Sequence, residues 1–556
     1  MAAGDADCDI DDAEVNGTAS DGVEVPTAQE AAQRFGSVIS DGVRRSTRER
    51  RQSGDSGIYA YRMSIKKAIV KHGDVAKDAV RKELGQMINK EVFEFIHPTC
   101  LSKERRRSVI RSSLFLKEKL NPEGVFTKLK ARLVAGGDQQ DKSLYEDISS
   151  PTVSLESIMM VIAIAAAEKR NFATCDITGA YLEARMPDDE EVLMSLDPTT
   201  TSVVVELCSD AERCVDANGV LVVRLKRALY GCVQSSKLWY DKLCEVLKHI
   251  GFTANNYDQC VFNKTVAGEQ ITVCFHVDDL LITSRSNNLI AELRKELQAN
   301  FTEITFACGD THSYLSMNLN LSDEYVSVDM SGYVSKCLED RERLIGANSP
   351  GSDSLFYVPE ESPTLDAAQK EKFHSDVAKL LYLSKRDRKD ILVAVSHLCS
   401  RVACPTKDDL AKLERVFGYL SRTRKLCTKF KRGVPVDMTA YIDASFGVHA
   451  DGESRTGVIL MMSGAAVGAW SSKQKLVTKS STEAELVGLS DGSSAVLWAR
   501  EWLLDQGYRL PPTVIYQDNQ GVLSLLRKGR HMKQRTRHLN VRFFFIKDVS
   551  QREIWS

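Results

Sequence analysis

Hydrophobic residues are sparse over roughly the first 55 positions and then fall into clear periods, with globular patterning starting near Tyr59. "VFTKLKARLV", Val125 to Val134, alternates as a strand does and gathers lysines and an arginine on one face. A helix is predicted over Ser154 to Lys169, then the strand "FATCDI", Phe172 to Ile177. Gln234 to Phe252 reads as an amphipathic helix with Leu238, Leu243, Val246, Leu247 and Ile250 in its apolar stripe and Gly251 placed to end it. The strand "ITVCFHV" runs straight into Asp278 and Asp279. From about 286 to 425 the periods are mostly helical, as in "DLAKLERVFGYLSRT". Near Thr439 the pattern changes again. Strands "MTAYIDASF", "TGVILMM" and "GAAVGAW", a helix from Ser480 and the strand "PTVIYQDN" predict a separate α/β unit.

A chain of 556 residues exceeds what one core usually organises, so about two to four domains are expected. Residues 1–55 are polar and acidic and end in "RRSTRERR", Arg44 to Arg51. That composition buries too little apolar area to offset chain entropy, so the segment is expected to be disordered. Its basic block is open to two readings, a nucleic-acid or nuclear-import signal and a plain solvated run. The net charge is only −2, so any nucleic-acid site has to come from local clustering. The fourteen cysteines are scattered without CxxC pairs, which suggests neither a zinc ribbon nor a disulfide framework and fits reduced thiols inside a cell better. No secretory signal is visible, and "IMMVIAIAAA" is about half of a bilayer span, so no membrane segment is expected.

Four acidic positions end or interrupt hydrophobic strands: Asp176 in "ATCDI", Asp278 in "CFHVDD", Asp443 in "TAYIDAS" and Asp518 in "VIYQDN". One such residue, or one Asp pair, is ordinary turn chemistry. Four in two groups call for something more. Carboxylates converging from neighbouring strands repel unless a cation lies between them, and a hard divalent ion such as Mg²⁺ prefers oxygen ligands. Two such ions about 3.5–4 Å apart clamp the attacking and leaving oxygens of a phosphoryl transfer. Alternation sends adjacent strand side chains to opposite faces, so Asp278 and Asp279 are not equivalent unless a turn intervenes. Asp278 is expected to face Asp176 as the firmer ligand, with Asp279 peripheral.

The order "TCDITGAYLEA", "RALYGCVQSSKLWY", "FHVDDLLI" resembles the reverse transcriptase of copia-type retrotransposons. "KLKARLVAGGDQQ" is similar to the family's fingers, and "YLSKRDRKDILVAVSHLCSRV" to its downstream helices. "YIDASFG", "RTGVILMMSG", "WSSKQKLVTKSSTEAEL" and "YQDNQGVLSLL" resemble the ribonuclease H domain that follows in the same polyprotein. The likeness runs from about residue 59 to 556 in the family's order. It implies an α+β multidomain fold, a right-hand polymerase of fingers, palm and thumb followed by a ribonuclease H-like α/β domain. The implied divisions are a disordered tail to 55, fingers and palm over 56–290, a helical thumb or connection over 291–435, and the ribonuclease H-like domain over 436–556.

The resemblance also implies roles. Asp176, Asp278 and Asp279 would hold the polymerase's Mg²⁺ (or Mn²⁺), and Tyr181 would exclude a 2′-hydroxyl from the incoming sugar. Lys130 and Arg132 would meet the triphosphate, Arg being suited to bidentate phosphate contacts. Tyr230, Gly231 and Gln234 would line the nucleotide pocket. Asp443, Glu485 and Asp518 would be the metal-holding carboxylates that cut RNA in a hybrid. "SSTEAEL" contains a capping box, Ser480 with Glu483, and two helical residues apart means faces about 200° apart. Glu483 is therefore assigned to capping and Glu485 to catalysis, with Thr482 capped by Glu485 as the alternative. The basic tail "RKGRHMKQRTRHLNVR" offers Arg527, Lys528, Arg530, Lys533, Arg535, Arg537 and His538 to phosphates, or is a solvated helix face. Implied partners are an RNA template, a DNA primer, RNA–DNA hybrid and dNTPs. The implied location is intracellular, in cytoplasmic virus-like particles, the nucleus, or both.

Several positions depart from the family pattern. His276 replaces the tyrosine before the Asp pair, where an imidazole either pairs with Asp278 or competes for metal. Val233 and Ser236 replace a lysine and a proline, and Ser316 replaces a turn glycine. The chain stops at "REIWS", ahead of the A-D-x-x-T-K segment of relatives and its inferred fourth carboxylate, so the ribonuclease domain is expected to be truncated. Two readings stay open: an active polymerase with an attached ribonuclease H, and a decayed or co-opted copy that binds nucleic acid without catalysis. An unrelated metal nuclease or structural protein does not account for motifs in this order.

Overall fold

The computed structural model describes residues 63–120, 126–145, 148–339, 341, 344–528 and 542–548. The N-terminal tail with Arg44 to Arg51 lies outside these residues, as do Arg530, Lys533, Arg535, Arg537 and His538.

Strands among the described residues form four sheets. The first joins Met63–Ser64, Phe93–Ile96, Ile110–Leu120, Phe126–Ala135, Leu193–Leu196 and Leu221–Leu225. Phe126–Ala135 alternates as its sequence does: Leu129, Ala131, Leu133 and Ala135 are buried, while Lys130 and Arg132 are half-buried on the other face. The helix Asp74–Asn89 joins the same core through Val80, Leu84 and Met87.

The second sheet is antiparallel throughout, in the order Ile304–Cys308, Asn171–Ile177, Asp279–Ser284, Glu269–His276, Asp258–Val266, Thr253–Asn255. Beside it the helix Leu155–Ala167 is buried almost all round, as a helix apolar on every face must be. Its N-cap is Ser154, whose Oγ accepts the Ser157 N–H at 3.0 Å. The helix Ser235–His249 ends where the glycine stands. Gly251 takes φ +92°, its N–H donates to Lys248 O, and the N–H of Phe252 donates to Leu247 O, the paired bonds of a Schellman cap.

Helices dominate 286–425 as expected, and the third sheet adds short strands that the pattern did not show. Thr311–Tyr314, Met317–Leu321 and Tyr325–Asp329 pair with one another and with Thr428–Lys431, and Ile304–Cys308 adds a strand to the central sheet. The helices Asn287–Asn300, Ala367–Arg386, Leu392–Arg401 and Lys407–Arg422 surround them. These strands are four or five residues long, too short to show a period against long helices on either side. Tyr314 faces Met317 across a two-residue turn in which Leu315 and Ser316 take φ +48° and +68°. Both positions of such a turn favour Gly or Asn.

In the fourth sheet Ala465–Lys473, Arg455–Met462 and Thr439–Ser445 are antiparallel, and Val514–Tyr516 lies parallel to Thr439–Ser445. The helix Ser481–Asp505 crosses the face that carries Ile442, Ala444 and Val458. It comes so close that a Cβ on Gly492 would stand 2.8 Å from Ile442 Cδ1.

The apolar interior divides differently from the sheets. One cluster gathers residues between Met63 and Cys232, while a second runs unbroken from Val153 through the central and third sheets into the fourth. The C-terminal unit thus has its own sheet but not its own core. Polar contacts fasten the same junction. Ser463 Oγ donates to Ala163 O at 3.0 Å, and Gln270 Nε2 to Gln506 O at 2.8 Å. The buried Arg170 donates to the Tyr508 hydroxyl at 2.9 Å, which donates in turn to Glu168 at 2.9 Å. No helix among the described residues is long and apolar enough to cross a membrane.

The Leu315–Ser316 turn generates a prediction. A left-handed backbone is unfavourable for a residue with a Cβ and neutral for glycine, so Ser316→Gly is expected to raise stability by about 0.5–1 kcal/mol in denaturant titration. An unchanged or lowered midpoint would mean that the turn is not strained.

Candidate active sites

The aspartate pair does not lie along one strand. His276 closes a strand and Asp279 opens the next directly opposite it, leaving Val277 and Asp278 as a two-residue hairpin turn. Val277 takes φ +60°, a conformation that two-residue turns give to glycine and that a β-branched residue rarely adopts. Two hydrogen bonds hold the turn. The Trp239 indole N–H donates to Val277 O at 2.7 Å, and the Ile177 N–H donates to Asp278 O at 3.2 Å.

Register places Asp176 opposite Asp279. Directly opposed residues share a face, so His276, Asp279 and Asp176 form one row across three strands. Asp278, on the turn, has different neighbours. Burial pushes its carboxyl above the usual aspartate range and the Asp176 charge adds to this, while Lys130 and Arg132 oppose it. Asp279 lies instead near Tyr314, whose hydroxyl is held protonated by burial first and then by the surrounding Cys274 and Asp279. No hydrogen bond joins His276 to Asp278 among the described residues.

The strand Phe126–Ala135 carries Lys130 and Arg132 into the field of Asp278. The Arg132 guanidinium lies 5.1 Å from the Tyr230 ring centre and 3.3 Å from Glu83. Tyr181 meets Tyr230 edge-on at 4.6 Å, and its hydroxyl is 3.3 Å from Ser236 Oγ. Arg132, Tyr230 and Tyr181 therefore make one continuous wall. Burial pushes the Tyr230 hydroxyl up to about 12. Gly231 is needed for close approach: at φ +96°, a Cβ there would stand 2.2 Å from Ala135 O. Gln234 is buried, its amide bonded to Gln140 at 3.2 Å, Tyr145 at 3.3 Å and Glu190 at 3.0 Å. It braces the wall from behind.

In the C-terminal sheet Tyr441 stands beside Tyr516 on parallel neighbours. Two residues further on, Asp443 is still in its strand opposite Gly457, and Asp518 lies just past the end of the parallel neighbour, which brings the two side by side. Ser480 Oγ accepts the Glu483 N–H at 3.2 Å, and Glu483 accepts the Lys479 N–H at 2.7 Å. Ser480 caps the helix, while Glu483 reaches back to Lys479 and not to the Ser480 N–H, so the expected reciprocal capping box is only half formed; Glu485 is buried and turned toward the aspartates. One oxygen from each of Asp443, Glu485 and Asp518 lies within 4.8 Å of the others. Burial first, and then the two aspartate charges, push the Glu485 carboxyl up to about 7, against the hydrogen bond it accepts from Gln517 Nε2 at 3.2 Å. An all-carboxylate donor set of this kind fits a hard divalent cation. Asp176, Asp278 and Asp279 share a sheet end without converging as tightly. Of the basic tail, Arg527 is exposed near the end of the helix Gln520–Lys528, with Lys528 its last residue.

Three supporting residues had no separate signal in the sequence. Glu83 is buried and accepts from Arg132 and from the Leu133 N–H, both at 3.3 Å. Alone it reads as one more charge on an amphipathic helix. Trp239 sits within the "SSKLWY" motif, yet periodicity shows only that it is apolar. Gln517 is legible only as the neighbour of Asp518.

Residues 99–350 match the family described as reverse transcriptase (RNA-dependent DNA polymerase). The fold and the carboxylate-bearing sheet define the class, a right-hand polymerase joined to a ribonuclease H-like domain. Within that class its reverse transcriptase region is similar to that of copia-type retrotransposon Pol polyproteins. It is 27% identical over 483 residues to the retrovirus-related Pol polyprotein from transposon RE1 of Arabidopsis thaliana, covering 85% of this chain and 31% of that one. To the TNT 1-94 polyprotein of Nicotiana tabacum it is 26% identical over 434 residues, covering 76% and 31%. To the Ty1-BR Gag-Pol polyprotein of Saccharomyces cerevisiae it is 25% identical over 443 residues, covering 75% and 24%. The matched stretch is thus about a third or less of these relatives' length. The foamy viral protease–reverse transcriptase, solved in complex with double-stranded DNA, shares the fold with a TM-score of 0.52 at 10% identity, over 94% of this chain and 78% of that one.

The raised Glu485 carboxyl carries a pH signature. Because its folded value lies above the ordinary 4.5, ionising it opposes folding, and the penalty is absent below about pH 4.5 and complete above about pH 7. Without divalent ions, Glu485→Gln is expected to stabilise the chain at pH 8 by about 1–3 kcal/mol, a gain that fades as the pH falls toward 4.5. Thermal melts across this range with chelator present check it. A gain independent of pH would contradict the assignment.

Proposed function

We propose that this chain is an RNA-directed DNA polymerase of a copia-type retrotransposon, and that its C-terminal domain hydrolyses the RNA of RNA–DNA hybrids. The observation that carries the reading is the polymerase sheet end. Asp176, Asp278 and Asp279 gather there with the cations Lys130 and Arg132 delivered from a separate sheet, all within the region that matches the reverse transcriptase family. Divalent ions, Mg²⁺ with Mn²⁺ as a substitute, would be held by Asp176, Asp278 and Asp279 and by Asp443, Glu485 and Asp518. When bound they polarise the phosphate and activate the attacking oxygen. Lys130 and Arg132 neutralise a dNTP triphosphate, Tyr181 presses on the sugar where a 2′-hydroxyl would sit, and Tyr230, Gly231 and Gln234 shape the wall around it. Arg527, Lys528, Arg530, Lys533, Arg535, Arg537 and His538 track the phosphates of template, primer and hybrid. The setting is intracellular, in virus-like particles, the nucleus, or both.

His276 supports a second reading, binding without catalysis, because its imidazole stands in the same row as Asp279 and Asp176. Primer extension on an RNA template with Mg²⁺ separates the two. The native chain is expected to add dNTPs, and Asp278→Asn to slow addition by roughly a hundred- to a thousandfold while still retaining hybrid. A native chain that retains hybrid but adds nothing decides for the second reading. Asp443→Asn is expected to abolish hybrid cleavage and leave extension intact, read from the same reactions by following the RNA strand.

A further inference from the structure

We infer that Trp239 is a positioning residue for the polymerase carboxylates: its indole N–H holds the carbonyl of Val277 and so keeps Asp278 in a turn that its own backbone disfavours. The kinetic part of this inference rests on the proposed polymerase activity; the structural part does not.

Three observations converge on it. Val277 is a β-branched residue at φ +60° in the two-residue turn that carries Asp278. Strain of this kind persists only where the surroundings over-determine it, and it concentrates at functional sites. The turn is held from two sides, by the Ile177 N–H on Asp278 O at 3.2 Å and by Trp239 Nε1 on Val277 O at 2.7 Å. The first comes from the neighbouring strand Asn171–Ile177 of the same sheet, and the second reaches in from outside the sheet, from the helix Ser235–His249. Trp239 is 1% exposed, and its ring packs on Phe301 at 5.5 Å, so the indole cannot follow the carbonyl if the turn relaxes.

The consequence falls on Asp278. Val277 O belongs to the peptide that joins Val277 to Asp278. If the chain turns about the Val277 N–Cα bond to relieve its φ, that carbonyl and the Asp278 Cα swing together, and the carboxyl leaves the field it shares with Asp176, Lys130 and Arg132. The bond from Trp239 opposes that rotation directly. Asp176 sits on a ladder strand paired on both sides and needs no such clamp.

The test pairs Trp239→Phe, which keeps an aromatic ring and removes the donor, with Val277→Gly, which removes the strain. Two readouts are used: amide hydrogen exchange of the 275–280 segment in metal-free protein, and steady-state extension kinetics. In Trp239→Phe the segment is expected to exchange on the order of tenfold faster, with kcat lowered about ten- to a hundredfold and KM for dNTP nearly unchanged. Adding Val277→Gly is expected to recover most of both losses, which loss of core packing at Trp239 would not allow. Unchanged exchange and kcat in Trp239→Phe would overturn the inference, and so would a double variant no better than the single one. If the native chain extends no primer, the polymerase reading fails, and the exchange experiment alone still decides the clamp.

Discussion

Carboxylates held together at the end of an apolar sheet repel one another and lose water at the same time. The rest of this structure is arranged around keeping them there. At both candidate sites burial is the leading influence on the most perturbed acid, ahead of any neighbouring charge: Asp278 in the central sheet and Glu485 over the C-terminal one. Neither site can rely on its own attractions. Position has to be imposed from below, by ladders that cannot slip without turning apolar side chains out of the core. Asp176 and Asp279 are fixed by the antiparallel register of three strands, Asp443 by its antiparallel pairing with Gly457, and Asp518 by the short parallel strand that ends two residues before it.

The two sites solve the problem differently. In the C-terminal sheet a helix supplies the third acid, and Gly488 and Gly492 let it lie close enough on Ala444 and Ile442 for Glu485 to reach the strand ends. In the central sheet the third acid comes from a turn, and the positive groups come from across a boundary between two hydrophobic cores. Within its own unit, the strand that carries those groups is held against the Tyr230–Gly231 segment by backbone contacts. A Cβ on Gly137 would stand 2.0 Å from Gly231 O, and the Ala135 N–H donates to Tyr230 O at 2.8 Å. The strand bearing Lys130 and Arg132 is therefore pinned at residues of the wall it shares with Tyr230.

The shared core between the central and C-terminal sheets has a mechanical meaning. Interfaces this continuous move as one body, whereas separate cores allow relative motion. The unit carrying Lys130 and Arg132 is the one with an independent core.

What the sequence determined alone is what depends on near neighbours along the chain. The alternation of Phe126–Ala135, the apolar core helix within Ser154 to Lys169, the caps at Ser480 and Gly251, and the acids at strand ends were all legible, because periodic burial and capping bonds span a few residues. The family motifs added the identity of the site. Tertiary structure decided the rest. It placed Asp278 on a turn and not on a strand face, built five short strands where helices dominate the pattern, merged two units into one core, and brought Trp239 to Val277. Each of these depends on register or packing between segments tens to hundreds of residues apart. A local period carries no information about which distant backbone a side chain will meet.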